Sequence, residues 1–396
     1  MKKIKNKLLL SFILISLVPL IALGGYGLTN VSKSLSAAST SKLNDKVNLV
    51  SSKIEGFLAN VKSDLFYLRD SVPLHILLES LSVSPVNSED VAKARKLLAE
   101  DFREFSRHKK IYHQVRFLDA EGMEFVRVDR EGNSTIIVPE GRLQNKKKRY
   151  YFADTAKLPK GKMMISPLDL NRERGKVEQP LRPVIRYGTP VYDKNNQLKG
   201  IVLFNVLADN FIQFARNEND GKIKGYFIDT KGYYFSNPDS SKEWGGKTDL
   251  GSGFSFLKDY PGVAYQILDA SDTRLVFGDK HIIAGAPVFL DQGKTNILGY
   301  IVDVVPNSIV FSSVIKFRNI FLLISVSVFI ATILFALFLA KTITNPLVYL
   351  TRATKNMRKG KLSSRVSVST RDEINSLAES IELLRKSIVI LMKMKK

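Results

Sequence analysis

Few side chains in this 396-residue chain could do covalent chemistry. There is no cysteine, which removes thiol nucleophiles, disulfides and thiolate metal ligands. The four histidines are His75, His108, His113 and His281. None has the spacing of a metal-binding helix or sits in a nucleophile motif. An enzyme would need a paired acid/base or metal cluster that these residues do not build, so no catalysis and no cofactor are expected. Recognition chemistry remains. Lys148-Arg149-Tyr150-Tyr151-Phe152 sets a guanidinium beside three aromatic rings. That combination suits a carboxylate carried on an apolar body. Arg149 also ends the polar run Gln144–Lys148, as a solvated surface segment would.

The elements that would position such a site lie between two apolar runs. Leu8–Leu28 and Ile320–Ala340 carry no charged side chain, and each is long enough to cross a hydrocarbon core. The first is read as an uncleaved anchor, although basic residues before an apolar run also describe a signal peptide. Four lysines precede the first run, and thirteen basic residues against four acidic ones follow the second. Both ends therefore read as cytoplasmic, and Thr29–Asn319 as extracytoplasmic. This topology accounts for over half of the net charge of +22. It leaves the membrane, not nucleic acid, as the partner of that charge.

From Thr29 to about Ser71, Val47, Val50, Ile54, Phe57, Val61, Leu65 and Leu68 recur every three or four residues, predicting a long stalk helix. A second helix is predicted over Ser88–Lys109, capped by Ser88. From Val115 the period becomes two. Strands are predicted around Val115–Phe117, Phe125–Val128, Ser134–Val138, Met163–Pro167, Pro183–Val191 and Gly200–Val206, with one helical turn at Tyr150–Lys157. A second, smaller series follows over about 207–310. The stretches 186–206 and 283–305 share a small-Pro-Val strand, a polar turn, then Gly and an apolar strand. This predicts an α+β fold of two tandem antiparallel-sheet units, a distal one over about 72–206 and a proximal one after it.

Beyond the second apolar run, Ile343, Leu347, Leu350, Thr354 and Met357 form one heptad series around Pro346, and Ile374, Leu377, Ile381, Leu384, Ile388 and Leu391 a second. Between them runs the connector Gly360-Lys361-Leu362-Ser363-Ser364-Arg365-Val366. Two such helices per chain make a parallel four-helix bundle when two chains pair. Asp372-Glu373 opens the second helix and suits its dipole.

Residues 341–396 resemble a HAMP domain, with Pro346, Gly360, Leu362, Val366 and Glu373 on its motif; Asn375 stands where the family often has Gly. The segment 29–319 resembles the double Cache sensors of bacterial chemoreceptors, histidine kinases and diguanylate cyclases. The stretches Met163–Val191 and Gly232–Gly246 carry that resemblance. It implies a membrane-bound homodimeric receptor that binds a small extracytoplasmic ligand in its distal unit. The signal would pass through the HAMP helices to a cytoplasmic kinase or chemotaxis output, supplied by a separate protein or by the rest of a longer receptor; a structural or adhesive membrane protein is the alternative. It further implies a pocket between the distal sheet and the short helix after Arg149, with Tyr151 and Arg186 facing it and Asp169 and Asn171 in a closing loop. Where amino-acid-binding members hold the amine with an Asp, this chain has Asn205, which favours a carboxylate over an amine.

Overall fold

A computed structural model describes residues 2–83, 85–173, 175–216, 223–370 and 372–394. The outermost residues of the two cytoplasmic segments, Met1 and Lys395–Lys396, lie outside the described residues, as does Arg174 in the stretch Met163–Val191. The chain divides into two compact units. One is Ser39–Val310, and the other joins Met1–Ala38 to Phe311–Lys396.

Within Ser39–Val310 the common support is helix α1, which runs unbroken over Lys2–Arg69 and so includes the first apolar run as well as the expected stalk. Its residues Val47, Val50, Ile54, Leu58, Val61, Leu65 and Leu68 are buried in a stripe of helical period. Each such side chain contributes roughly 1.5–3 kcal/mol through removal from water. Phe57, expected in that stripe, is only half-buried and packs against Phe211 with ring centroids 5.4 Å apart.

Two further helices follow, α2 (Val72–Ser82) and α3 (Ser88–His108). The cap of α3 is Asn87, not Ser88: its side chain accepts from the Glu89 N–H at 3.0 Å. The shift follows from Asn87 keeping extended backbone while Ser88 is already helical.

The distal sheet contains β1 (Tyr112–Asp119), β2 (Glu124–Glu131) and β3 (Ser134–Ile137), then, after helix α4 (Tyr150–Ala156), β4 (Met164–Ile165) and β5 (Asp169–Leu170). A small ribbon pairs β6 (Arg172–Glu173) with β7 (Lys176–Val177). Strands β8 (Pro183–Tyr192) and β9 (Leu198–Leu207) complete the sheet in the order β3-β2-β1-β9-β8-β4, with β5 also on β8. The strand expected over Met163–Pro167 is therefore only two residues long, because Ser166 leaves the ladder to accept from the Arg186 N–H at 2.9 Å.

After helix α5 (Asp209–Arg216) the proximal sheet repeats the plan. It contains β10 (Lys224–Asp229), β11 (Tyr234–Ser236), helices α6 (Phe256–Asp259) and α7 (Pro261–Leu268), then β12 (Arg274–Phe277), β13 (His281–Phe289) and β14 (Ile297–Pro306). The order is β11-β10-β14-β13-β12. The Gly recognised in both sequence halves has one cause in both. A Cβ at Gly200 would lie 2.1 Å from the Leu118 carbonyl oxygen, and one at Gly299 2.1 Å from that of Ile228. Each unit also opens its first hairpin with the same aspartate-capped turn. Asp119 Oδ1 accepts from the Glu121 and Met123 N–H groups, and Asp229 Oδ1 from those of Lys231 and Tyr233.

Helix α1 backs both sheets. Tyr112 donates to Asp64 at 2.6 Å in the distal unit. In the proximal unit Ser51 donates to the Pro287 carbonyl at 2.6 Å, and Lys46 pairs with Asp303 at 3.1 Å.

The second compact unit holds the first part of α1 and, after the short helix α8 (Asn307–Val310), helices α9 (Ser312–Leu339), α10 (Asn345–Arg358) and α11 (Glu373–Met394). Two helices are long and apolar enough to cross a membrane. Their apolar side chains, such as Ile15, Ile21, Leu323 and Ile330, point outward and remain exposed, as lipid-facing residues do. The two apolar segments touch through Phe12 and Phe335 at 5.8 Å.

Candidate ligand site in the distal unit

Strand alternation and register determine what the distal sheet presents on each face. Val115, Phe117, Ile185, Phe204 and Val206 point toward the long helices, where Phe204 packs against Phe105 at 5.8 Å. The opposite face carries polar residues in register. Arg186 pairs across to Asn205, Asn205 to Gln114, and Gln114 to Asp129. The neighbouring row runs Gly188, Leu203, Arg116, Arg127. Helix α4 lies over this face, with Thr155 so close to Gly188 that a Cβ there would sit 2.5 Å from its hydroxyl.

The six residues picked from the sequence come together here. Tyr151 is the centre: the guanidinium carbons of Arg149, Arg116 and Arg186 lie 5.4, 5.5 and 5.8 Å from its ring centroid. Arg186 donates to Asp169 at 2.7 Å, to Asn171 at 3.2 Å and to the Tyr150 hydroxyl at 3.3 Å. Asn205 accepts from Arg116 at 2.6 Å and donates to Gln114 at 2.9 Å. Asn171 donates to Glu178 at 2.8 Å. Arg116, Arg186 and Asn205 are each 2% exposed and Tyr151 3%, so these polar groups meet almost out of reach of water. Arg149 is half-buried, with its guanidinium over the Tyr151 ring.

Sequence reasoning missed Gln114, Arg116 and Glu124. The signal was present: Gln114 and Arg116 alternate with Val115 and Phe117 along one strand, so the two polar side chains share a face. Glu124 Oε1 stands 3.5 Å from Arg116, and its other oxygen 3.6 Å from Arg127. The Nε of Arg116 is buried with no acceptor among the described residues.

The electrostatics match this geometry. Burial pushes the Tyr151 phenol upward, but the positive charges of Arg116, Lys146 and Arg149 and a hydrogen bond from Arg116 outweigh it, and the group sits below its ordinary value. Burial works against the Arg186 cation, yet Asp169 beside it holds its pKa above the ordinary value. Tyr150 and Asp169 also line a cleft of about 1160 Å³ shared with the proximal unit, to which Asp229, Trp244 and Asp249 contribute.

In the second compact unit the connector between α10 and α11 is tied by different residues than expected. Pro346 lies in the first turn of α10, where a missing N–H costs nothing. Gly360 ends that helix with φ +75° and donates to the Met357 carbonyl at 2.9 Å. Val366 is buried against Leu350 and Ala378. Glu373 is exposed, and the cap of α11 is made by Asp372, which accepts from the Ile374 N–H at 3.1 Å. The acid that fastens the connector is Glu382. It accepts from the Val366 N–H at 2.8 Å and from Arg385 at 2.7 and 2.9 Å, while Arg385 reaches the Leu362 carbonyl at 2.5 Å. The Arg385 hydrogen bond and then that of Val366 draw the Glu382 carboxyl down to about 2.

The two sheets, their shared helix and the membrane-crossing helices define a double Cache sensor joined to a signalling linker. Residues 73–291, more than half of the chain, match the family described as bacterial histidine kinase, sensor domain, and the chain belongs to that family. Residues 338–389 match the HAMP domain. The chain is thus an inner-membrane signal-transducing sensor with its sensor domain outside the cytoplasm, made of signalling modules and addressing a cytoplasmic partner.

Among solved structures it resembles the extracellular domain of vpHK1S-Z8, described as a histidine kinase (TM-score 0.57, 19% identity, 71% of this chain and 96% of that one). It also resembles a domain assigned to the sensory box/GGDEF family from Vibrio parahaemolyticus (TM-score 0.56, 19% identity, 69% and 97%). A third is the ligand-binding domain of the Campylobacter jejuni chemoreceptor Tlp3 in complex with L-valine (TM-score 0.50, 12% identity, 70% and 97%). At these identities the likeness is one of fold. No curated relative matches the chain.

Proposed function

We propose that the distal unit binds a small carboxylate and that this binding biases a homodimeric HAMP switch. The observation that carries the reading is the convergence of Arg116, Arg149 and Arg186 on Tyr151. Three cations around one ring in a water-poor site favour an anion by charge and by the bidentate geometry of guanidinium. Asn205, engaged by Arg116 and Gln114, offers no carboxylate for an ammonium group. The sensor boundaries in this reading are 29–319, with spans at 8–28 and 320–340 and the HAMP segment from 341. No catalytic role is assigned.

Dimerisation is supported by α11. Leu377, Leu384 and Leu391 repeat every seven residues and stay exposed in the single chain, a seam that a second copy would cover. Because the chain has no cysteine, Leu384→Cys introduces a single thiol. Oxidation should then give a disulfide-linked pair in membranes; a chain that stays single sinks the dimer.

The ligand test is thermal unfolding of the full chain in nanodiscs with organic acids, amino acids and amines. Acids should raise the midpoint, and Arg149→Ala should abolish the rise. A rise with cationic amines alone, or a response to acid intact in Arg149→Ala, contradicts the carboxylate reading. A ligand can shift the switch only by its differential affinity for the two packings, so a few kcal/mol is enough.

A further inference from the structure

We infer that the distal site is built for a ligand with two anionic groups, a dicarboxylate in chemical class, and that Asp169 occupies the place of one of them until the ligand arrives. The inference rests on the carboxylate reading above and goes further by fixing the number of charges.

The charge balance of the polar face supplies the argument. Arg116, Arg127, Arg149 and Arg186 stand over it, with Lys146 adding its charge beside Tyr151, against Glu124, Asp129 and Asp169. Glu178, also near, is answered by Arg182 at 2.9 Å. Positive charge is therefore in excess even while Asp169 is in place. Arg149 makes no ion pair among the described residues, and the buried Nε of Arg116 has no acceptor. If Asp169 withdraws, Arg186 joins Arg149 and Lys146 without a carboxylate. A monoanion leaves at least two of these charges unanswered, and a dianion answers both guanidinium groups.

Asp169 is the acid placed to withdraw. Its side chain is 30% exposed, whereas that of Glu124 is wholly buried. It lines the cleft while holding Arg186 at 2.7 Å, so a ligand entering there meets this ion pair first. Asp169 is also tied to the proximal unit. The next residue, Leu170, donates its N–H to Asp249 at 3.0 Å, and Arg172 donates to the Thr248 carbonyl at 2.6 Å. Exchange of one carboxylate for another on Arg186 would thus be felt in the proximal loop.

The test is calorimetry on the full chain in nanodiscs, with succinate and glutarate against butyrate, valerate and the monomethyl esters of the two diacids. The diacids should bind at least about tenfold tighter than the monoacids and esters, since each buried charge left unanswered weakens binding. Asp169→Asn removes the internal competitor and should tighten diacid binding about fivefold, whereas a merely structural Asp169 would weaken it. Arg149→Gln, at a half-buried position that threatens folding less, should bring diacid affinity down to the monoacid level. Equal affinity for monoacids and diacids, or unchanged or weaker diacid binding in Asp169→Asn, overturns the inference and leaves the carboxylate reading standing. If neither class binds, both fall.

Discussion

The distal and proximal units are one architecture with two interiors. Their strands superpose by sequence motif: Gly188 corresponds to Gly285, Gly200 to Gly299, and the turn aspartate Asp119 to Asp229. In both, a helix presses on the first glycine of each pair, through Thr155 in one and Ile267 in the other. The side chains on the face beneath that helix differ completely. Where the distal row reads Arg186, Asn205, Gln114, the proximal row reads Ile283, Val304, Lys224. Where the distal unit has Arg116, the proximal unit has Tyr226, packed with Phe256 and Tyr260. The proximal face is therefore filled by its own core, and the distal face is left as a buried polar network. A packed apolar core stabilises without needing partners, whereas a buried polar network is secure only when every member is answered. The same frame holds an apolar core in one unit and a buried polar network in the other.

This contrast can be tested by substitution. The largest loss should come from Phe256→Ala, about 4 kcal/mol from a cavity in the proximal core, measured by denaturant unfolding, with ligand affinity unchanged. A comparable fall in affinity would mean that the proximal core also shapes the site. Next is Arg116→Leu, which takes from the buried Glu124 one of its two arginine partners and from Asn205 its donor, and should cost about 3 kcal/mol while removing ligand binding. A variant of wild-type stability would show that the network is not strained by losing a member. Gly200→Ala and Gly299→Ala should each cost about 2 kcal/mol, since both meet a carbonyl oxygen; a marked difference between the two breaks the equivalence of the frames.

The smallest effect is pH dependence at His113, whose proximal counterpart is Ile223. Burial lowers the His113 pKa, only partly opposed by Glu178, so the unfolded chain takes up the proton first on acidification. Stability from this residue is complete above about pH 6.5 and declines as pH falls below it. The unfolding midpoint should drop less between pH 7 and pH 5 in His113→Gln than in the wild type. Equal drops would remove His113 as the source.

Much of this was readable from the chain. The apolar runs were legible from their length and lack of charge, the paired strands from a shared Pro-Val, turn and Gly motif, and the terminal helices from their heptads. Arg149 and Tyr151 were found because the double Cache resemblance places an arginine followed by aromatics at the pocket helix, and Arg186 because it lies on a following strand that could face the same cavity. Arg116 was not, since a charged residue inside a strand reads as solvent-facing until the register shows both neighbouring strands burying that side. Glu382 escaped for a related reason. In sequence it forms an ordinary helical pair with Arg385, and only the path of the connector brings Val366 to its other oxygen. The fused α1 was missed because Pro19 and the glycines Gly24, Gly25 and Gly27 suggest a break that the helix does not take, and the Asn87 cap because Asn and Ser stand side by side and only the backbone shows which one stays extended.

The two faces of the distal sheet have a practical consequence. Gln114, Arg116, Arg186 and Asn205 alternate along their strands with Val115, Phe117, Ile185 and Phe204, yet the two sets never share a surface. On the proposed reading, one set could be rewritten for a new chemical stimulus while the other keeps its grip on the long rod behind it. Retargeting such a receptor would then be a matter of exchanging a handful of alternate positions, with the mechanical linkage left as it stands.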